Sequence, residues 1–356
     1  MTRVLIVDDS ALMRRVLSEI LRSANFEVAT AKDGLDALDQ LSSFAPDVIT
    51  LDVQMPHMDG LECLNRIMVE RPCPVVMVSS LTTQGAEETL IALQLGAVDF
   101  LPKPDGAVSL AVEEFAPIVV GAVLDAAKAK VRRSHRLLER LRSGQGGKVK
   151  RNPQQRTRTS RPDGELPGLV VVGASTGGPP ALDIVLGALP EDFAWPVVVA
   201  QHMPAAFTRS LAMRLDRLCA LPVREVTGPT LLEPGQIYIA RGDADMIFSR
   251  RPDGLIALPA PASSKHRWHP SVDRLTASAM DHLAAERLIG VLMTGMGNDG
   301  AKAMAALRVA GGRTIAQSED TAVVWGMPGE LVRADGADFV EDVDAIAARL
   351  IRMVGR

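Results

Sequence analysis

From Val4 onward, short β-branched runs alternate with amphipathic stretches: RVLIV, EVAT, DVITL, PVVMV and VDFL are each followed by about 10 to 20 residues of helical pattern. Runs this short, rich in Val and Ile, suit strands, and the stretches between them suit crossover helices. Five such βα units within residues 1 to 125 predict a parallel, doubly wound sheet. After Pro117 the apolar positions Val120, Leu124, Ala127, Val131, Leu138 and Leu141 recur at spacings of three, four or seven, which predicts one buried stripe on a long helix.

The periodicity then stops. Residues 143 to 167 are rich in Gly, Pro, Arg and Gln without an apolar repeat, so residues 126 to 167 read as a helical extension followed by a flexible linker. From residue 168 the pattern resumes with GLVVVG, WPVVVAQH, GQIYIA, LIGVLMTG and GGRTIAQ, separated by helical segments, which predicts a second parallel α/β domain over 168 to 356. A β-rich patch between Leu221 and Leu258 predicts a short antiparallel insertion or edge.

Composition agrees with two buried cores: 47% of 356 residues are apolar. The net charge of −4 conceals an asymmetry, because Lys128 to Arg161 holds thirteen Lys or Arg against one acid, Glu139, a segment charge of +12 that leaves −16 elsewhere. Without aromatic stacking residues the basic segment reads as a solvated tether rather than a nucleic-acid surface. Cys63, Cys73 and Cys219 lack metal-ligand spacing and read as free thiols in a reducing compartment. The opening MTRVLIVDDS does not read as a signal peptide, and Glu113, Glu114 and Asp125 interrupt the most apolar later stretch. The expectation is a cytoplasmic protein with no membrane insertion and no nucleic-acid partner.

Chemistry-bearing residues collect where strands end. Asp8 and Asp9 close the first strand, Asp52 the third and Ser79 the fourth, and Lys103 follows the fifth. In a doubly wound sheet the carboxyl ends of the strands form the ligand crevice, so all five converge on one rim. Clustered carboxylates invite a hard cation such as Mg²⁺, and one of them can then attack a phosphoryl donor while Lys103 offsets the charge that develops.

In the second domain Gly173-Ala174-Ser175-Thr176-Gly177 fits G-x-S-x-G after a strand and before a helix start at Pro179-Pro180. Such a turn exposes the serine hydroxyl, and N–H groups at the helix start can hold an oxyanion. His202 ends the next strand as a candidate base, and Asp299, beyond the strand LIGVLM, is a candidate orienting acid. The chain order Ser, His, Asp differs from the Ser, acid, His order of α/β-hydrolases, and an HGGG-type loop is absent.

VDDS, TLDVQMPHMDG, VSS and LPKP resemble the response-regulator receiver, and GASTGGPPAL, QHMPAAFT, HPSVD and TGMGNDG resemble the catalytic domain of the CheB-type chemotaxis protein-glutamate methylesterase. The first resemblance implies a flavodoxin-like (βα)5 domain with Asp52 as phosphoacceptor and Mg²⁺ held by Asp8, Asp9, Asp52 and the Gln54 carbonyl. It further implies Ser79 as switch hydroxyl, Lys103 as phosphate partner and a cis bond before Pro104. The second implies a doubly wound α/β domain without a cofactor, with Ser175 as nucleophile, His202 as base and acid, Asp299 as orienting acid, and Thr176 and the Met296 backbone as further active-site contacts. Together they imply demethylation of chemoreceptor glutamyl esters, and deamidation of glutamines, under control of a chemotaxis histidine kinase; in this family the receiver covers the cleft until it is phosphorylated.

Two rival readings are weaker. A DNA-binding output would need a helix-turn-helix, which the Gly-rich second half lacks. A phosphate-cradling GASTGG would need G-x-G-x-x-G spacing. His57 and the HRWH stretch at His266 to His269 have no assigned chemistry.

Overall fold

The computed structural model describes residues 1–80, 82–104, 108–129 and 166–355, and the chain divides into two compact units. In the first, strands β1 (Arg3–Val7), β2 (Glu27–Ala31), β3 (Val48–Asp52), β4 (Val75–Ser79) and β5 (Asp99–Pro102) alternate with helices α1 (Ala11–Ser23), α2 (Gly34–Ser43), α3 (Gly60–Glu70), α4 (Thr83–Leu95) and α5 (Val108–Ala126). The sheet is wholly parallel in the order β2-β1-β3-β4-β5. Every residue of β3 and β4 is buried, because crossover helices cover both faces of a parallel sheet. Helix starts are written locally: Ser10, Asp33, Asp59 and Thr82 each accept a hydrogen bond from the backbone N–H three residues on.

Helix α5 corrects the expected stripe. It runs through Pro117, and its buried face is Phe115, Val119, Val123 and Ala126, while Leu124 is 42% exposed and Ala127 lies past the helix end. Nearly every position from Ile118 to Val123 is apolar or glycine, so several faces satisfy the same spacing, and only packing against α1, β3, β4 and β5 selects one. Val131, Leu138, Leu141 and the linker of residues 143 to 165 lie outside the described residues. The cis X–Pro bond among the described residues is His269–Pro270, not Lys103–Pro104 as the receiver resemblance implied.

The second unit has a seven-stranded sheet, all parallel, in the order β15-β14-β13-β6-β7-β10-β8. Its strands are β6 (Leu169–Ala174), β7 (Val197–Gln201), β8 (Val223–Val226), β10 (Ile237–Ala240), β13 (Leu288–Leu292), β14 (Arg313–Gln317) and β15 (Phe339–Glu341). Helices α6 (Gly178–Gly187), α7 (Ala205–Leu218), α8 (Val272–Met280), α9 (Ala301–Val309), α10 (Met327–Arg333) and α11 (Val343–Val354) accompany it. An antiparallel sheet in the order β11-β12-β9 joins β9 (Thr230–Leu231), β11 (Ala244–Arg251) and β12 (Gly254–Pro261).

The β-rich patch therefore splits between two sheets. Strands β8 and β10 join the parallel sheet, with all four residues of β10 buried, and only β9, β11 and β12 are antiparallel. Both sheets share one core, in which Tyr238 packs with Val171, Val198, Met246, Phe248 and Leu275. The buried Tyr238 hydroxyl donates to the Leu231 carbonyl (3.1 Å) and accepts from Glu233 N–H (2.7 Å), tying β10 to β9. No helix among the described residues is long and apolar enough to cross a membrane.

Each parallel sheet reverses direction of growth once. The reversal falls between β1 and β3 in the first unit and between β6 and β13 in the second, leaving a crevice at the carboxyl edge of each. The corrected α5 face is checked by urea unfolding of the first unit: Val123→Ala costs about 2 kcal/mol and Leu124→Ala less than about 0.5 kcal/mol.

Candidate functional site

In the first crevice Asp8 follows β1 and Asp52 ends β3, on adjacent strands, and both are buried. Lys103 Nζ reaches Asp52 Oδ2 at 2.7 Å and lies 3.1 Å from Asp8 Oδ2. The Lys103 backbone N–H donates to the Ser79 carbonyl (2.7 Å), which fixes the start of this reach. Ser79 is buried and donates to the Gly85 carbonyl (3.1 Å). Gln54 N–H approaches Asp52 Oδ1 at 3.4 Å, its side chain reaches Glu88, and nearby His57 adopts a left-handed backbone (φ 67°).

Burial pushes both the Asp52 and the Asp8 carboxyl above the usual range, and their mutual repulsion adds to this for Asp52; a single Lys103 does not reverse it. Lys103 is held above its ordinary value: burial opposes its charge, but Asp52 and Asp8 outweigh that cost. The cluster is short of positive charge. Asp8, Asp9 and Asp52 each bring a ligand oxygen within 4.8 Å of the others, and Asp8 Oδ2 is buried without an aligned hydrogen-bond donor. That donor set fits a hard, oxygen-preferring divalent cation such as Mg²⁺.

In the second crevice the register Ala174↔Gln201 sets Ser175 and His202 side by side just past the ends of β6 and β7. His202 N–H donates to the Ala174 carbonyl (3.0 Å). The buried Gln201 amide bonds the carbonyls of both Ser175 (2.9 Å) and His202 (3.1 Å), clamping the two strand ends together. Gly178 has no side chain because a Cβ there would run into the Gln201 amide.

Asp299, in the loop between β13 and α9, meets His202 with Oδ2 2.8 Å from Nε2. The same carboxylate accepts from Ser271 Oγ (3.0 Å), Val272 N–H (2.7 Å) and Asp273 N–H (3.0 Å) at the start of α8. Burial alone would raise its pKa, but His202 and these donors outweigh burial and hold it below the usual value. An ionised Asp299 requires the proton on His202 Nε2, which leaves Nδ1 as the basic nitrogen. Nδ1 is buried and without a hydrogen-bond partner, and no hydrogen bond joins His202 to Ser175 Oγ.

The turn after β13 closes on the serine. A Cβ at Gly295 would come 2.7 Å from Ser175 Cβ, so only glycine allows this approach. Thr294 accepts the Ser175 N–H at its carbonyl (3.0 Å) and donates its hydroxyl to the Thr176 carbonyl (2.9 Å). The helix start is less open than expected, since the Ser175 and Gly178 N–H groups are both engaged, the latter by the Ser175 carbonyl at 2.7 Å. Met296 N–H, in the adjoining turn, makes no hydrogen bond among the described residues.

Several participants carried no recognisable signal. Trp268 stacks on His202, with ring centroids 5.8 Å apart and planes within 2°. Gly297, with φ 82°, lies against the same indole, since a Cβ there would come 2.6 Å from the Trp268 ring. Gln201, Ser271, Thr294 and Gly295 act through tertiary contacts. The QHMPAAFT, HPSVD and TGMGNDG motifs contained these four without revealing their partners.

Fold and geometry define a receiver-type α/β unit joined to a parallel α/β unit with a Ser, His and Asp crevice. Residues 4–112 match the family model described as the response regulator receiver domain, and residues 170–350 that described as CheB methylesterase. Among curated relatives, protein-glutamate methylesterase/protein-glutamine glutaminase 2 of Rhodopseudomonas palustris (strain BisB18) is 55% identical over 99% of this chain and 98% of its own. Protein-glutamate methylesterase/protein-glutamine glutaminase 3 of Rhodospirillum rubrum is 53% identical over 100% of this chain and 97% of its own. The crystal structure of the Thermotoga maritima CheB methylesterase catalytic domain aligns with a TM-score of 0.51 at 36% identity, covering 52% of this chain and 98% of that one. The chain belongs to the CheB methylesterase family, hydrolases of chemotaxis that carry a response-regulator receiver.

The depressed pKa of Asp299 sets a pH signature. Its carboxylate contributes stability that is complete above the unfolded value, about 3.9, and is lost as pH falls through the lower folded value. Asp299→Asn is therefore expected to cost about 2 kcal/mol at pH 7, with a gap from wild type that narrows below about pH 4 in urea titrations.

Proposed function

We propose that Ser175, His202 and Asp299 hydrolyse glutamyl γ-methyl esters on methyl-accepting chemoreceptors, and glutamine side-chain amides on the same proteins, by acyl transfer. The observation that carries this reading is the His202–Asp299 pair: Nε2 is committed to a charged carboxylate at 2.8 Å, and the free Nδ1 belongs to the strand end beside Ser175. His202 Nδ1 takes the Ser175 hydroxyl proton as Oγ attacks the ester carbonyl. The resulting oxyanion is met by backbone N–H groups at Thr176 and Met296, a role supported by the unengaged Met296 N–H. His202 then protonates the departing methanol or ammonia, and water, deprotonated by the same nitrogen, releases the glutamate carboxylate and restores Ser175. Asp299 holds the imidazole in one tautomer and stabilises its positive charge.

The working division is a receiver over residues 1–125, a helical and basic tether over 126–167 and a catalytic domain over 168–356. In the receiver, Asp52 accepts a phosphoryl group from a chemotaxis histidine kinase in the cytoplasm. Asp8, Asp9, Asp52 and the Gln54 carbonyl would hold Mg²⁺, which when bound offsets the negative charge gathered at this edge. Lys103 pairs with the new phosphoryl oxygens and Ser79 turns its hydroxyl toward them, a change supported by the weak 3.1 Å bond it leaves at Gly85.

Ser175→Ala is expected to lower methanol release from methylated receptor by at least about 10⁴-fold, and retention of most activity would remove the serine from the mechanism. Asp52→Ala is expected to abolish the rise in methanol release that a phosphodonor with Mg²⁺ produces. A rise of wild-type size in that variant would exclude Asp52 as the control point.

A further inference from the structure

One buried carboxylate holds both ends of the loop that faces His202. Asp245, on β11, accepts from Ser263 N–H (3.2 Å) and the Arg274 guanidinium (2.6 Å) at Oδ2, and from Ser271 N–H (2.8 Å) and His269 Nδ1 (2.9 Å) at Oδ1. Ser263 in turn accepts the N–H groups of Lys265 at its hydroxyl (3.4 Å) and His266 at its carbonyl (2.9 Å). Four donors on one carboxylate, with a side chain fully removed from water, make a rigid anchor. The loop between Ser263 and His269 is thus closed like a clasp, with Lys265, His266, Arg267 and Trp268 at its tip.

The tip is cationic and stands next to the base. The Arg267 guanidinium carbon lies 5.4 Å from the centroid of the Trp268 ring, which itself stacks on His202 at 5.8 Å. Lys265 and Arg267 are exposed and make no ion pair among the described residues. Two of the acids around them are already met, Asp245 by Arg274 and His269 and Asp299 by His202 and the α8 start. Asp273 accepts the Ala303 N–H at 2.8 Å, and burial holds its carboxyl above the usual value. Two positive charges without an ion pair among the described residues therefore stand on the loop that carries Trp268 to His202, in a chain that carries −16 outside its basic segment.

We infer that the Lys265–Arg267 lip recognises a carboxylate flanking the reacting side chain, so that the enzyme prefers glutamyl esters set among acidic residues. This rests on the ester-hydrolase reading above and adds its substrate specificity. Each turnover converts a neutral ester or amide into a carboxylate, so a segment with several reacting sites grows more acidic as they are processed. A lip that binds the product of one turnover beside the next site favours completion of a partly processed segment. A guanidinium suits this task, because its planar fork of donors can meet a planar carboxylate through two hydrogen bonds.

The test compares two synthetic peptides, each with one glutamyl γ-methyl ester, flanked by glutamates in one and by glutamines in the other. Full-length protein with Mg²⁺ and acetyl phosphate is assayed for methanol release. The wild type is expected to favour the acidic peptide by about five- to tenfold in kcat/KM, through KM, with a preference that shrinks between low and 0.5 M salt. Arg267→Glu, and separately Lys265→Glu, are expected to cancel or invert this ratio; taking a ratio removes any general loss of activity. Equal rates on both peptides in the wild type, or an unaltered ratio in both variants, would overturn the inference while leaving the esterase intact. Methanol from neither peptide would overturn the ester-hydrolase reading along with it.

Discussion

A carboxylate buried at the carboxyl edge of a parallel sheet costs several kcal/mol to keep charged unless donors or a cation meet it, and the two halves of this chain answer that constraint in opposite ways. Asp8 and Asp52 share a single lysine, and their carboxyls are pushed up. Asp299 receives three donors besides His202 and is held down. The first edge is short of positive charge and therefore responsive to a cation or a change of charge. The second is satisfied in advance and stays a fixed acceptor around which an imidazole can be oriented.

The consequences spread through each unit. At the second crevice, Asp299 draws in the start of α8, and the preceding loop brings Trp268 against His202. Asp245 secures that loop from the antiparallel sheet, which gives β11 and β12 a reason to share the core of the parallel sheet. The catalytic strand ends are joined by the Gln201 amide, and the third side is closed by glycine at 295. A site assembled this way depends on backbone approach as much as on side-chain identity.

Much of this organisation was legible in the chain. Strand runs, their alternation with helices and the placement of acids, serine and histidine at strand ends follow from local periodicity and from the rule that parallel strands finish on one edge. Val48–Asp52 and Leu169–Ala174 are cases where burial on both faces leaves a dense apolar run. The stripe on α5 differs from the expected one because an almost uniformly apolar helix satisfies several faces. In the β-rich patch the expected antiparallel element is β9, β11 and β12, while β8 and β10 extend the parallel sheet, a division that only neighbouring strands select.

By itself the sequence determined which chemical groups exist and which strand ends or following turns carry them: Asp8, Asp52 and Lys103 in one half, Ser175, His202 and Asp299 in the other. Only the tertiary structure decided that His202 presents Nε2 to Asp299, that Trp268 lies over its ring, and that Asp245 holds the cationic tip beside it. Those choices are made between residues tens of positions apart, by donors and ring faces that have no periodicity along the chain, so no local pattern could carry them.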